Sequence, residues 1–146
     1  MKNKIIQKRT AYRYLIKLRR SSELSFSKHE IFGNLTLSLD SIRRKLMISK
    51  AVNQIWHSFQ IPLNATRLIS IKKVYKDIYV GQLRYRKLEE FLETIYLQFE
   101  FFDGRNTIHL PVFERGTNNL SDLPDIEKKV AYWQDLLSEL RLLTNR

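Results

Sequence analysis

Apolar and polar positions alternate along AYRYLIKLR, so Tyr12, Tyr14, Ile16 and Leu18 share one strand face while Arg13, Leu15, Lys17 and Arg19 share the other. Leu24 and Phe26 continue the inward pattern as a shorter strand. Leu35, Leu37 and Leu39 make a third, with Thr36 and Ser38 predicted to face out. Together these predict an antiparallel meander with one apolar face and one basic, hydroxylated face. Asp40 then suits the N-cap of a helix from Ser41 to Phe59. At helical spacing Ile42, Ile48, Val52, Ile55, Trp56 and Phe59 form its apolar arc, and Arg43, Lys50, Gln54 and His57 line the opposite side.

The run Leu68 to Val80 is rich in β-branched and aromatic residues and reads as one strand or two short ones, ended by Gly81. A second helix is expected from Gln82, with Leu88, Phe91, Leu92 and Ile95 inward and Arg86, Glu89, Glu90 and Glu93 outward. The clearest local signal follows. In YLQFEFFDGRNTIHLPVF, two alternating runs flank Asp103-Gly104, with Leu97, Phe99 and Phe101 facing the same way as Ile108, Leu110 and Val112. This is a β-hairpin pattern. A last helix starts near Asp122 and Asp125, carries Pro124 in its first turn, and repeats Ile126, Val130, Trp133, Leu137 and Leu140. The expected fold is a single α+β domain over residues 1–146: small antiparallel sheets, an N-terminal meander and a later hairpin, with about three packed helices.

The stretch SKHEIFGNLTLSLDSIRRKLM also aligns with a helix-turn-helix, and its Ser38-to-Leu46 part, SxDSIRRKL, resembles the recognition helices of bacterial regulators, where a hydroxyl cap precedes β-branched and basic residues. Three positions speak against that motif. Phe32 occupies the site that wants a small residue, Thr36 the site that wants a turn glycine, and Gly33 falls inside the first helix. A strand followed by a helix is therefore the preferred reading of residues 27–47.

Charge changes the picture most. The 146 residues carry a formal net charge of +11, distributed unevenly. Residues 1–88 hold 20 Lys/Arg against 4 Asp/Glu, and residues 89–146 hold 6 against 11. A basic part and a mildly acidic part imply two surfaces with different jobs, the first meeting a polyanion. The expected function is non-enzymatic binding of nucleic acid, DNA or RNA, with little sequence specificity because phosphates carry no sequence. The residues expected to make those contacts are Arg13, Lys17, Arg19 and Arg20 on the meander, and Arg43, Arg44, Lys45 and Lys50 on the long helix. Lys72, Lys73, Arg84 and Arg86 extend the set. Tyrosines interleave with these cations in Tyr12-Arg13-Tyr14, Val74-Tyr75-Lys76 and Arg84-Tyr85-Arg86, a composition that suits stacking on unpaired bases. Tyr12 and Tyr14, however, fall on the apolar face and read as core.

Other chemistries find less support. The three histidines are far apart and no cysteine is present, so no zinc-ligand spacing exists and no cofactor or metal is expected. Glu100, Asp103 and His109 around the hairpin suggest a metal-dependent nuclease only weakly, since turn-forming and outward-facing roles explain them as well. The surplus leucines of residues 122–143 offer an anchor for a protein partner, and a small subunit of a larger assembly is the main alternative function. No apolar run reaches membrane-spanning length, and the absence of cysteine fits a reducing, cytoplasmic setting.

Overall fold

The computed structural model describes Arg13 and residues 24–144. The expected strand over residues 12–18, with Tyr12, Tyr14 and Lys17, lies outside the described residues apart from Arg13, as do Arg19 and Arg20. Arg13 itself is helical rather than extended, and exposed. The chain divides into two compact units, residues 1–65 with 140–146 and residues 66–139.

The first unit contains a four-stranded antiparallel meander in the order β1-β2-β3-β4, made of β1 (Lys28–Phe32), β2 (Leu35–Asp40), β3 (Lys45–Val52) and β4 (Ile55–Pro62). Its turns explain the topology. Gly33 has φ +60°, so a two-residue turn closes Phe32 onto Leu35. Asn53 and Gln54 both have positive φ, at 51° and 65°, the signature of a type I′ hairpin turn closing Val52 onto Ile55. The helix expected from Ser41 to Phe59 is thus two strands and a tight turn. Leu46 and Ile48 point into the core with Leu35, Leu37 and Leu39, and Ile61 joins them. The helical arc was coincidental: Ile42, Val52, Ile55 and Phe59 are exposed.

Asp40 is a cap without a helix. Its Oδ1 accepts the amide protons of Ile42 (3.1 Å) and Arg43 (2.9 Å), as an N-cap would. The chain then reverses, because Arg44 adopts φ +54° and its carbonyl accepts from the Leu63 amide at 3.1 Å. The helix-turn-helix and the strand-then-helix readings both give way to a β-hairpin here. Thr36 and Ser38, expected at the surface, are buried, since β2 is an inner strand covered on both faces.

The second unit holds a three-stranded antiparallel sheet in the order β5-β6-β7, followed by one helix as far as Glu139. The elements are β5 (Thr66–Tyr75), β6 (Leu92–Phe101), β7 (Ile108–Glu114) and α1 (Leu123–Thr144). The hairpin around Asp103-Gly104 is present, pairing Leu97 with Leu110 and Phe99 with Ile108. Residues 24–144 therefore contain a single α-helix, not three, and the fold is mostly β. The helix expected from Gln82 is replaced by short 3-10 turns at Gln82–Arg84 and Leu88–Phe91. Leu92 and Ile95, three apart as in a helix, are both buried for another reason. The register shifts between Val74↔Thr94 and Tyr75↔Leu92, so Glu93 is an extra residue that resets the alternation. Leu123, Ile126, Val130, Trp133 and Leu137 form the buried stripe of α1. It is tied to β5 by a hydrogen bond from Gln134 Nε2 to the Ile69 carbonyl (3.3 Å) and by Lys73 Nζ, 3.5 Å from Glu127 Oε1.

Candidate nucleic-acid interface

The cations predicted to bind phosphate are not gathered on one helix. Arg43, Arg44 and Lys45 sit at the β2–β3 turn, whereas Lys50 lies five residues along β3, roughly 17 Å away and on the other face. Arg43 is already committed, because its Nη1 is 3.0 Å from Asp40 Oδ2. Burial pushes the Asp40 carboxyl up, but the amides of Arg43 and Ser25 and the Arg43 side chain outweigh it and hold it below its usual value. Asp40 and Arg43 thus act together to stabilise the turn.

Lys72 and Lys73 belong to the second unit and point to opposite faces of β5. Lys73 shares the face of Ile95 and pairs with Glu127 of α1. Lys72 lies opposite Tyr96 on the other face, where Tyr96 meets His109 edge-on at 5.7 Å. Arg84 and Arg86, by contrast, project from the segment joining β5 to β6, and both are exposed.

That segment, residues 76–91, has the most unusual surface of the described residues. Tyr79 is 72% exposed and Tyr85 88%, and Ile78, Val80, Leu83 and Leu88 are exposed as well. Residues 78–87 contain Arg84, Arg86 and Lys87 and no acid. None of these three cations has an acidic partner among the described residues, unlike Lys76, whose Nζ is 3.6 Å from Glu93 Oε1. The segment is nevertheless an ordered turn. Gln82 Oε1 accepts from the Tyr79 amide (2.7 Å), and the Gln82 amide donates back to the Tyr79 carbonyl (3.2 Å). The Gln82 carbonyl then accepts from the amides of Tyr85 and Arg86 at 3.2 and 3.1 Å. Gly81, with φ +89°, supplies the left-handed residue that lets the chain reverse.

The base of the loop is clamped. The Lys76 amide donates to the Phe91 carbonyl at 2.7 Å. Across it, the Arg115 guanidinium donates to three carbonyls: Leu92 (2.7 Å), Glu89 (3.1 Å) and Glu90 (2.7 Å). One planar fork thereby satisfies the ends of a 3-10 turn that has no side-chain cap of its own. Sequence reasoning named Arg84 and Arg86 but missed Tyr79, Lys87 and the clamp by Arg115. Only the Gly81 breaker between two aromatic-and-basic runs hinted at a loop rather than a helix.

The residues proposed for nuclease chemistry are otherwise engaged. Glu100 pairs with Arg67, Asp103 with Arg105, and His109 with the Tyr96 ring. The Arg105 side chain and amide hold the Asp103 carboxyl below its usual value. Among the described residues no group of three or more His, Asp or Glu is placed to hold a metal ion. No described helix is long and apolar enough to cross a membrane. No protein-family model, curated protein or solved structure matches this chain.

Proposed function

We propose that this protein binds nucleic acid without catalysis, and that the loop of residues 76–91 is the centre of the contact. The observation that carries this reading is the ordered, acid-free tip in which the side chains of Arg84, Arg86 and Lys87 have no acidic partner among the described residues. Desolvated ion pairs within the protein would blunt such cations, whereas free ones neutralise phosphates and release counterions. The net charge of +11 adds long-range attraction to any polyanion. A cytoplasmic setting belongs to the same proposal.

A salt titration tests it. Anisotropy of fluorescein-labelled oligonucleotides, measured with the full chain between 50 and 300 mM salt (roughly the range in which phosphate contacts dominate), should give a steep negative log–log slope. Replacing Arg84, Arg86 and Lys87 together by alanine should reduce the slope by about 2 for a single strand, from three phosphate contacts at ~0.7 each. A flat slope, or no binding at 50 mM (about the low end of that range), would overturn the reading.

A second reading has its own observation. Tyr132, Leu142 and Leu143 of α1 are exposed, so the last helix offers apolar surface to a protein partner, as a subunit of an assembly would. Solution mass alone and with partners captured by the chain distinguishes the two.

A further inference from the structure

We infer that the loop selects unpaired strands, with Tyr79 and Tyr85 as stacking platforms for bases. This inference rests on the nucleic-acid reading and specifies the class of ligand. Tyr79 and Tyr85 stand 72% and 88% exposed on a turn closed by its own hydrogen bonds, and with Ile78, Val80 and Leu83 they concentrate exposed apolar and aromatic surface in one short segment. Ordering removes most of the entropy that a mobile loop would lose on binding.

The chemistry around the rings narrows the ligand. Tyr85 stands between Arg84 and Arg86, so a base stacked on it has cations at both chain neighbours to meet the adjoining phosphates. Tyr79 lies across the reversal at Gly81, and its backbone is tied through Gln82 to that of Tyr85. The two platforms are therefore held by one hydrogen-bonded unit rather than by independent loops. Bases within a duplex are already covered on both faces by their neighbours, so a tyrosine cannot stack on them without paying to unstack the helix. Single strands offer free faces. Ile78, Val80 and Leu83 border the same turn, and their exposed apolar surface suits base and sugar faces more than a phosphate wall.

The competing occupant with similar chemistry is an anionic lipid surface, which also takes cations beside aromatic and aliphatic side chains. Both ligands offer phosphates to the guanidinium groups beside Tyr85, so the rings decide: bases give Tyr79 and Tyr85 planar faces to stack on, which a lipid surface does not. The experiment includes both.

Full-length chain is titrated with a labelled oligo(dT) and with a duplex of equal length at fixed salt, and sedimented with vesicles containing phosphatidylserine. The wild type should prefer the single strand. Tyr79→Ala and Tyr85→Ala should each weaken oligo(dT) binding on the order of tenfold, leaving the duplex affinity and the salt slope unchanged. Tyr79→Phe and Tyr85→Phe should retain the preference, since stacking needs the ring and not the hydroxyl. Both side chains are exposed, so truncation leaves the core intact, and circular dichroism checks this. Equal binding of single strand and duplex, or alanine variants that bind oligo(dT) like the wild type, would overturn the inference while leaving nucleic-acid binding in place. Failure to bind either oligonucleotide would overturn the functional reading itself. Vesicle binding that depends on the same tyrosines, with no loss of oligo(dT) affinity, would assign the loop to a membrane surface instead.

Discussion

Asp40→Ala should be among the most damaging single substitutions in the first unit, although nothing in the residue's type marks it. Its side chain is fully buried yet accepts four hydrogen bonds: from the amides of Ser25 (3.0 Å), Ile42 and Arg43, and from the Arg43 guanidinium. The two turn amides behave as capped helix donors do, and losing such a cap costs about 1 kcal/mol. The Ser25 bond is charge-assisted and part-buried, worth ~1.5–3 kcal/mol. The half-exposed Arg43 contact adds at most about 1 kcal/mol. Alanine should therefore lower stability by roughly 3 kcal/mol. Asparagine keeps an oxygen for the turn amides, so it should cost less.

Urea denaturation followed by circular dichroism measures the effect. Its pH dependence supplies a second check. The folded carboxyl is held below its usual value, so its contribution is complete above the unfolded pKa of about 3.9 and is lost as pH falls through the lower folded value. The gap between wild type and Asp40→Ala should be constant from neutral pH down to about 3.9 and narrow below it, the neutral carboxyl keeping part of its hydrogen bonding. A loss under ~0.5 kcal/mol would refute the account, since that is the range of ordinary surface substitutions. So would a gap that widens in acid.

Arg115→Ala removes the donor of three loop-base carbonyls and should speed amide hydrogen exchange at Lys76 and through residues 88–92. Lysine should not restore protection, because one ammonium cannot reproduce the planar fork. Thr36→Val replaces a buried hydroxyl that has no hydrogen-bond partner among the described residues with a methyl of similar shape, and should raise stability by about 1 kcal/mol in thermal unfolding; a decrease would show that the hydroxyl is satisfied.

The sequence alone determined the hairpin around Asp103-Gly104 and the final helix, where periodicity and the turn or cap residues agree, and the strand over Leu35 to Leu39, where alternation was enough although Asp40 after it suggested a helix. It also determined the charge asymmetry that points to a polyanion. The two absent helices were decided by tertiary structure. Residues 41–59 satisfy a helical arc and a pair of alternating strands equally well on paper. Leu46 joins Ile48 in the core only in the second arrangement, which also buries β2 as an inner strand.

At Leu92 and Ile95 a bulge at Glu93 imitates helical spacing, and a bulge is invisible until its partner strand is known. The candidate site follows the same division. Arg84 and Arg86 were legible as cations, but the lack of an acidic partner for them among the described residues, and the exposure of Tyr79 and Tyr85 beside them, depend on how the chain closes around Gly81 and Arg115. Local pattern specifies which residues want burial. Only long-range pairing decides which of them obtain it, and which are left facing water with a ligand to find.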